Sequence, residues 1–194
     1  MITQYSYGTN VCQSRRNNVI EYYKKWNAEE VRADLQPKRS QMVCVFENIG
    51  YDINISCSIR SNNAFLGKEV YVVGRRRFDS RGDVGTHHYE TVYHADTIQE
   101  VVEKLRGEGY TIYAVDNLME RDPVNVWDVE FPEKSAFIFG SESDGITQEA
   151  LDLADKLVYI HMDGSVRSMN VSCAASCVMF EYSRQHRFDA RDGK

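Results

Sequence analysis

Residues 158–180, VYIHMDGSVRSMNVSCAASCVMF, constrain the fold more than any other stretch of the chain. A short apolar strand runs through a polar loop containing Gly164 and into a helix. In that helix Val171, Ala174, Ala175, Val178 and Tyr182 recur at helical spacing on one apolar face. The loop sets Ser165, Arg167, Ser168 and Asn170 just ahead of the first helical turn. Free backbone N–H groups at a helix start favour bound polar or anionic groups. Asn170 or Ser168 serves as the N-cap. Capping needs one such residue, and this loop carries four.

Two loops of the same design lie upstream. Residues 136–139 (AFIF) read as a buried strand ending in Gly140-Ser141-Glu142-Ser143-Asp144-Gly145, followed by a helix over 148–155 capped by Thr147. Residues 42–46 (MVCVF) read as a strand leading through a glycine-containing turn into a helix over 54–65, stopped at Gly67. Polar tips at strand-to-helix junctions are what an α/β protein presents at its ligand edge.

The remaining elements fit that pattern. The spacing of Val19, Tyr22, Tyr23, Trp26 and Val31 predicts a first helix over 15–32, with Ser14 as its cap, and Pro37 separates it from the first strand. A strand over 69–73 leads into a basic loop. A helix over 98–106 follows, opened by a Thr97/Glu100 capping box and closed at Gly107 and Gly109. Residues 110–115 form the next strand, and 116–134, with Pro123 and Pro132, read as irregular. Alternating strands and helices imply an α/β fold: a mostly parallel sheet with helices on both faces. The glycine-rich turn of a dinucleotide site is missing after every predicted strand, which argues against a Rossmann-type nucleotide enzyme.

Taken together, the three loop segments resemble the SPOUT superfamily of RNA methyltransferases, in its SpoU (TrmH-like) ribose 2′-O-methyltransferase branch. The first motif of that family, an Asn followed six residues later by an Arg, matches Asn54 and Arg60. The second, Gly-x-Glu after an apolar strand, matches Gly140-Ser141-Glu142. The third, an apolar strand, Met-x-Gly and Ser-x-Asn-Val-Ser opening a helix, matches Ile160, Met162, Gly164 and residues 168–172. The resemblance spans residues 40–187. It leaves 1–39 as an N-terminal helical extension and 188–194 as a polar tail.

The resemblance implies a deep trefoil knot threading residues 137–175, S-adenosyl-L-methionine as cofactor, and methyl transfer to a ribose 2′-hydroxyl of tRNA or rRNA. It assigns Gly140, Ile160, Met162 and Met169 to the cofactor, with adenine lying on the apolar side chains. Arg60 is the family's catalytic arginine. A guanidinium stays protonated, so its expected role is bidentate binding of the phosphate beside the target ribose and stabilisation of charge developing on the oxygen. Asn54 and Glu142 are expected to orient Arg60 and the loop backbone. Ser168 and Asn170 are expected to contact the ribose, the cofactor carboxylate or each other. His161 stands where the family usually has Pro, and Asn62-Asn63 is more polar than usual. A non-catalytic RNA- or cofactor-binding relative is the other reading, and the intact Asn54, Arg60, Glu142, Ser168 and Asn170 argue against it.

Charge is polarised along the chain. The net charge is −6, yet residues 1–81 carry 13 Lys/Arg against 8 Asp/Glu, and residues 82–194 carry 10 against 21. The basic groups gather at Arg15, Arg16, Lys24, Lys25, Arg32, Lys38 and Arg39, and again at Arg75, Arg76, Arg77 and Arg81. Local patches, not net charge, make phosphate contacts, and the Arg75–Arg77/Arg81 loop leaves a strand at its C-terminal end. These four are the expected RNA-binding residues. Family members pair through the knot region, so a homodimer is expected, through the helix face carrying Ala174, Ala175 and Val178 with Met179 and Tyr182.

Five cysteines (Cys12, Cys44, Cys57, Cys173, Cys177) form no CxxC, and Cys173 and Cys177 read as buried thiols on a helix. His87, His88 and His94 sit in a polar stretch and read as surface or loop residues. No metal is expected. No apolar run reaches transmembrane length and the N-terminus lacks a signal pattern, so a cytoplasmic location with no membrane association is expected.

Overall fold

The structure is a computed structural model that describes residues 1–5, 18–47, 49–74 and 76–187. Cys12, Ser14, Arg15, Arg16, Arg75 and the expected 188–194 tail lie outside the described residues. In chain order the elements are β1 (Thr3–Gln4), α1 (Ala28–Leu35), β2 (Val43–Glu47), α2 (Ile53–Ala64), β3 (Glu69–Val73) and β4 (Val92–Ala95). They continue with α3 (Ile98–Gly107), β5 (Thr111–Val115), β6 (Val124–Asn125), β7 (Ser135–Phe139), α4 (Gln148–Leu153), β8 (Lys156–Tyr159) and α5 (Val171–Arg187).

The strands form one sheet in the order β1-β4-β3-β2-β7-β5-β8-β6. Every pairing is parallel except that of β1 with β4. Strands covered on both faces read as continuous apolar runs, and successive residues serve opposite cores. On one face Cys44 and Phe46 of β2 pack with Ile55 and Ile59 of α2 and with Ala175, Val178, Met179 and Tyr182 of α5. On the other, Val43 and Val45 pack with Val101, Val102 and Leu105 of α3 and Ala150 of α4. Each fully buried aliphatic side chain here contributes about 1.5–3 kcal/mol. The expected α/β architecture is therefore present. The insertion of β8 between β5 and β6 is consistent with the trefoil threading that the resemblance implies.

The helices α2 and α5 lie side by side and run the same way. Three rungs join them: Asn54 with Asn170, Ser61 Oγ with Ser176 Oγ at 2.8 Å, and Phe65 edge-on to Phe180 at 6.2 Å.

Several expectations need correction. The first helix does not run over 15–32. A 3₁₀ turn covers Glu21–Tyr23, and α1 starts at Ala28, where Asn27 and Glu30 form a complete capping box. The apparent helical stripe belongs to an aromatic cluster, with Tyr22, Tyr23 and Trp26 ring centroids 5.0–5.4 Å apart. The strand β4 is not legible in the sequence, because its VYHA run is short and interrupted by a histidine. Its His94 is nonetheless buried, with Nε2 3.2 Å from the Gly74 carbonyl. His87 is also buried, its Nδ1 within 2.8 Å of both Asp83 oxygens. The capping box of α3 is half made: Thr97 accepts from Glu100 N, but the Glu100 carboxylate meets the amine of Met1 instead.

On α5 the expected faces are exchanged. Ala175, Val178, Met179 and Tyr182 face the chain's own core, each 0% exposed, while Cys173, Cys177 and Phe180 face outward. The sheet claims the most apolar stripe and leaves the cysteines on the opposite side. No described helix is long and apolar enough to cross a membrane.

Candidate active site

Three loops meet at the C-terminal ends of β5, β7 and β8, the edge where open parallel sheets bind ligands. The loop after β7 is folded tightly on itself. Ser141 and Gly145 exchange two backbone hydrogen bonds of 3.0 Å, and Asp144 N donates to Ser141 Oγ at 3.1 Å. This fold requires glycine twice. A Cβ on Gly140 would lie 2.2 Å from the Gly145 carbonyl and from Ile146 N, and Gly145 itself has φ +70°. Asp116, just past β5, holds the loop's exit by accepting from Ile146 N at 2.9 Å. Thr147 then caps α4, accepting from Ala150 N at 3.1 Å and donating to the Glu47 carboxylate at 2.9 Å. Burial at the end of β2 pushes the Glu47 carboxyl above its ordinary range, against the pull of the Thr147 hydrogen bonds.

The loop after β8 closes the other wall. Asn170 is the N-cap of α5: its Oδ1 accepts from Ser172 N at 2.9 Å and from Cys173 N at 3.4 Å. Of the two candidate caps, Asn170 takes the position. Asn117 Nδ2 donates to the Arg167 carbonyl and ties this loop to the end of β5.

A relay of amides joins the three motifs. Gly50 N donates to Glu142 Oε2 at 3.0 Å, Asn54 Nδ2 donates to Glu142 Oε1, and Asn170 Nδ2 donates to Asn54 Oδ1 at 3.1 Å. Both ends of the Asn54 amide are thus committed, and the chain ends on the backbone N–H groups of α5. Aligned hydrogen bonds of this kind polarise one another and fix their members' rotamers.

Between the loops lies a cleft of about 640 Å³, a size within the usual range for small-molecule sites. Its lining brings together Gly140, Glu142, Ile160, Met162, Ser168, Met169 and Asn170, seven of the residues singled out from the sequence. Asn54 stands behind the wall, buried and bonded to two lining residues. Arg60 does not line the cleft. Six residues along α2 place it about 9 Å from Asn54 and a third of a turn away, exposed on the helix surface. Arg76, Arg77 and Arg81 are exposed beyond β3, at the same sheet edge, with Arg81 Nη2 2.5 Å from Asp79 Oδ2. Exposed pairs of this kind are weak, so Asp79 holds Arg81 only loosely.

The N-terminal basic residues are mostly committed elsewhere. Arg39 is buried against Glu90 at 2.7 Å, Arg32 donates to the His88 carbonyl, Lys38 pairs with Asp34 and Lys24 with Glu21. Sequence reasoning missed Asp116, Asn117 and Leu118, which line the cleft from β5. They directly follow a predicted strand, and the rule that ligands sit at strand C-termini would have found them. Among the described residues no cluster of three or more His, Cys, Asp or Glu is placed to hold a metal ion.

A cleft walled by glycine-gated loops at the C-terminal edge of a mostly parallel sheet defines an α/β protein built to hold a small organic ligand. The sequence pattern of the SpoU rRNA Methylase family matches residues 41–180. The tRNA (guanosine(18)-2′-O)-methyltransferase of Escherichia coli (strain K12) is 32% identical over 161 residues, covering 81% of this chain and 68% of that protein. The enzyme of the same name from Thermus thermophilus is 31% identical, covering 81% and 80%. Among solved structures, the A. aeolicus TrmH/SpoU tRNA modifying enzyme superposes with a TM-score of 0.75 at 22% identity, covering 84% of each chain. The SpoU methyltransferase AviRb from Streptomyces viridochromogenes, in complex with AdoMet, superposes with a TM-score of 0.67 at 26% identity, covering 78% of this chain and 60% of that one. The chain belongs to the SpoU methylase family.

Proposed function

We propose that the chain methylates a ribose 2′-hydroxyl of a tRNA, with S-adenosylmethionine held between the loops after β7 and β8. The observation that carries this reading is the Glu142–Asn54–Asn170 relay, which connects all three family motifs at one cleft. The choice of tRNA over rRNA rests on the two relatives above, both named for tRNA.

The chemistry is an in-line displacement at a methyl carbon. S-adenosylmethionine, when bound, supplies that methyl on a sulfonium leaving group. The chain must align the attacking oxygen and manage its proton. Gly140 lets the loop after β7 close on itself and so shapes the wall that would face the cofactor, and Ile160, Met162 and Met169 offer apolar side chains to adenine. Ser168 and Asn170 present polar groups at the start of α5, toward the ribose or the cofactor carboxylate. Asn54 and Glu142 hold that geometry. Arg60, permanently charged, takes the phosphate next to the target ribose and stabilises charge developing on the oxygen. A phosphate oxygen or water then accepts the proton.

The RNA runs over Arg76, Arg77 and Arg81. Two chains pair as a homodimer through the outward face of α5, where Phe180 is 51% exposed beside Cys173 and Cys177. The catalytic domain is 40–187, with 1–39 as an extension, and the enzyme works in the cytoplasm. Nucleoside mass spectrometry of tRNA and rRNA from a deletion strain tests the proposal. Loss of one 2′-O-methylated nucleoside from tRNA alone is the expected result, and a loss confined to rRNA would refute the substrate assignment.

A further inference from the structure

Residues 18–39, ahead of the family-matched region, dock on the segment around Leu66 and Tyr89 and reach α2, the helix that carries Asn54 and Arg60, at Arg60. Val19, Tyr23 and Trp26 pack with Ala28, Val31 and Leu35 against Tyr89 and Leu66. Arg39 donates to the Gly67 and Tyr89 carbonyls at 2.6 and 3.0 Å and pairs with Glu90, both side chains being at most 2% exposed. The same Glu90 carboxylate accepts from Asn62 at 2.8 Å and Asn63 at 2.6 Å, at the C-terminal end of α2. This explains the unusual polarity of Asn62-Asn63: the pair anchors the helix to a buried carboxylate.

At the other end of the segment, Asn18 sits on Arg60. With its amide oxygen turned toward the guanidinium, Asn18 accepts from Arg60 Nη2 at 2.9 Å and Nε at 3.1 Å. Its own backbone is held by a 3.4 Å bond from Asn18 N to the Val84 carbonyl.

We propose that Asn18 is a positioning residue for Arg60, reaching it from the N-terminal extension through a contact on the Nε/Nη2 edge of the guanidinium. The proposal rests on the reading of Arg60 as the phosphate- and oxyanion-binding group. An exposed arginine on a helix samples many rotamers, and a carbonyl across Nε and Nη2 selects one orientation of the planar fork. The acceptor is neutral, so the cation keeps its full charge. The Nη1 donors and the outer Nη2 proton stay available to the RNA. A carboxylate at position 18 would hold the fork equally well but would compete with phosphate for it.

The test compares the full-length wild type with Asn18→Ala, Asn18→Asp and Arg60→Ala, reading kcat and KM for tRNA, cofactor affinity and melting temperature. Asn18→Ala is expected to lower kcat roughly 10- to 150-fold, the scale of one hydrogen bond to a charged group, with cofactor affinity and melting temperature unchanged. Asn18→Asp is expected to lose more, chiefly as a raised KM for tRNA, while melting at or above the wild-type temperature. In an Arg60→Ala background, Asn18→Ala should change nothing further. Wild-type turnover in Asn18→Ala, wild-type KM in Asn18→Asp, or activity loss that simply follows a lowered melting temperature would overturn the positioning role. Wild-type turnover in Arg60→Ala would instead overturn the reading of Arg60 on which it rests.

Discussion

Asn54 and Asn170, 116 residues apart, meet amide to amide, with Asn170 Nδ2 3.1 Å from Asn54 Oδ1. Because the Asn54 nitrogen is given to Glu142, the pair works in one direction: each amide accepts with its oxygen and donates with its nitrogen. The start of α5 is thereby tied to the loop after β7 through a single buried side chain.

Asn54→Asp reverses one link of this relay. The new carboxylate faces Glu142 without a donor between them, and like charges at that range raise a carboxyl's pKa. Methyl transfer should fall by about 10²-fold at pH 8, the order expected when a positioned group is misplaced. It should recover in part as the pH drops toward 5 and one of the two acids takes up a proton. A pH–rate profile parallel to that of the wild type would refute this.

Gly140→Ala should abolish cofactor binding. Its methyl would fall 2.2 Å from the backbone of Gly145 and Ile146, with no flexible side chain to give way. Forcing the loop open costs roughly 1–3 kcal/mol in stability and displaces the wall of the cleft. Calorimetric titration with S-adenosylmethionine reads the loss, and thermal melting confirms that the variant is folded.

Glu47→Gln should stabilise the protein at neutral pH. Burial raises the Glu47 carboxyl, so the folded state binds its proton more tightly than the unfolded chain does. A raised acid contributes stability below its unfolded value of about 4.3, and that contribution is lost as the pH climbs through the folded value. Glutamine still accepts from Thr147 without the buried charge. The variant should therefore melt above the wild type at pH 7–8, and the gap should close toward pH 4. A gap that widens on acidification would contradict the assignment.

Replacing Arg76, Arg77 and Arg81 with Gln should weaken RNA binding and flatten its salt dependence. Each phosphate contact contributes about 0.7 to 0.9 to the slope of log K against log salt, so the slope should fall by about 2 to 3. Affinity for S-adenosylmethionine should be untouched, since none of the three lines the cleft. An unaltered slope would remove this loop from the RNA path.

Phe180→Arg should convert the proposed dimer to a monomer. The side chain is half exposed and meets Phe65 edge-on, so the fold should survive the change. Sedimentation at micromolar concentration distinguishes the two states.

The strands buried on both faces are the legible part of the chain. Residues 42–46, 70–73 and 136–139 are unbroken apolar runs, and a run of that length in a parallel sheet has few alternatives. The strand β4 is hidden because VYHA carries a histidine whose burial depends on β1 and Tyr5, which pack on it from far away in sequence. The helix expected over 15–32 fails for a local reason. Aromatic side chains at i, i+1 and i+4 satisfy a helical count while packing edge-on or tilted around a 3₁₀ turn, and the Asn27/Glu30 box sets the true start. At the site, the motifs carry the residue identities and their shared edge. They do not carry the separation of Arg60 from the cleft, which follows from helix geometry once α2 is fixed by Asn54.

The strand β2 lies in the middle of the sheet, yet one of its two neighbours, β7, arrives only after β3, β4, α3, β5 and β6 have been made. Contacts this distant close slowly, because much chain must be ordered before they repay its entropy. Glu142 and Asn170 reach Asn54 across 88 and 116 residues, so the cleft has no precursor in any early fragment. The relay that walls the cleft can therefore close only once the start of α5 has reached α2.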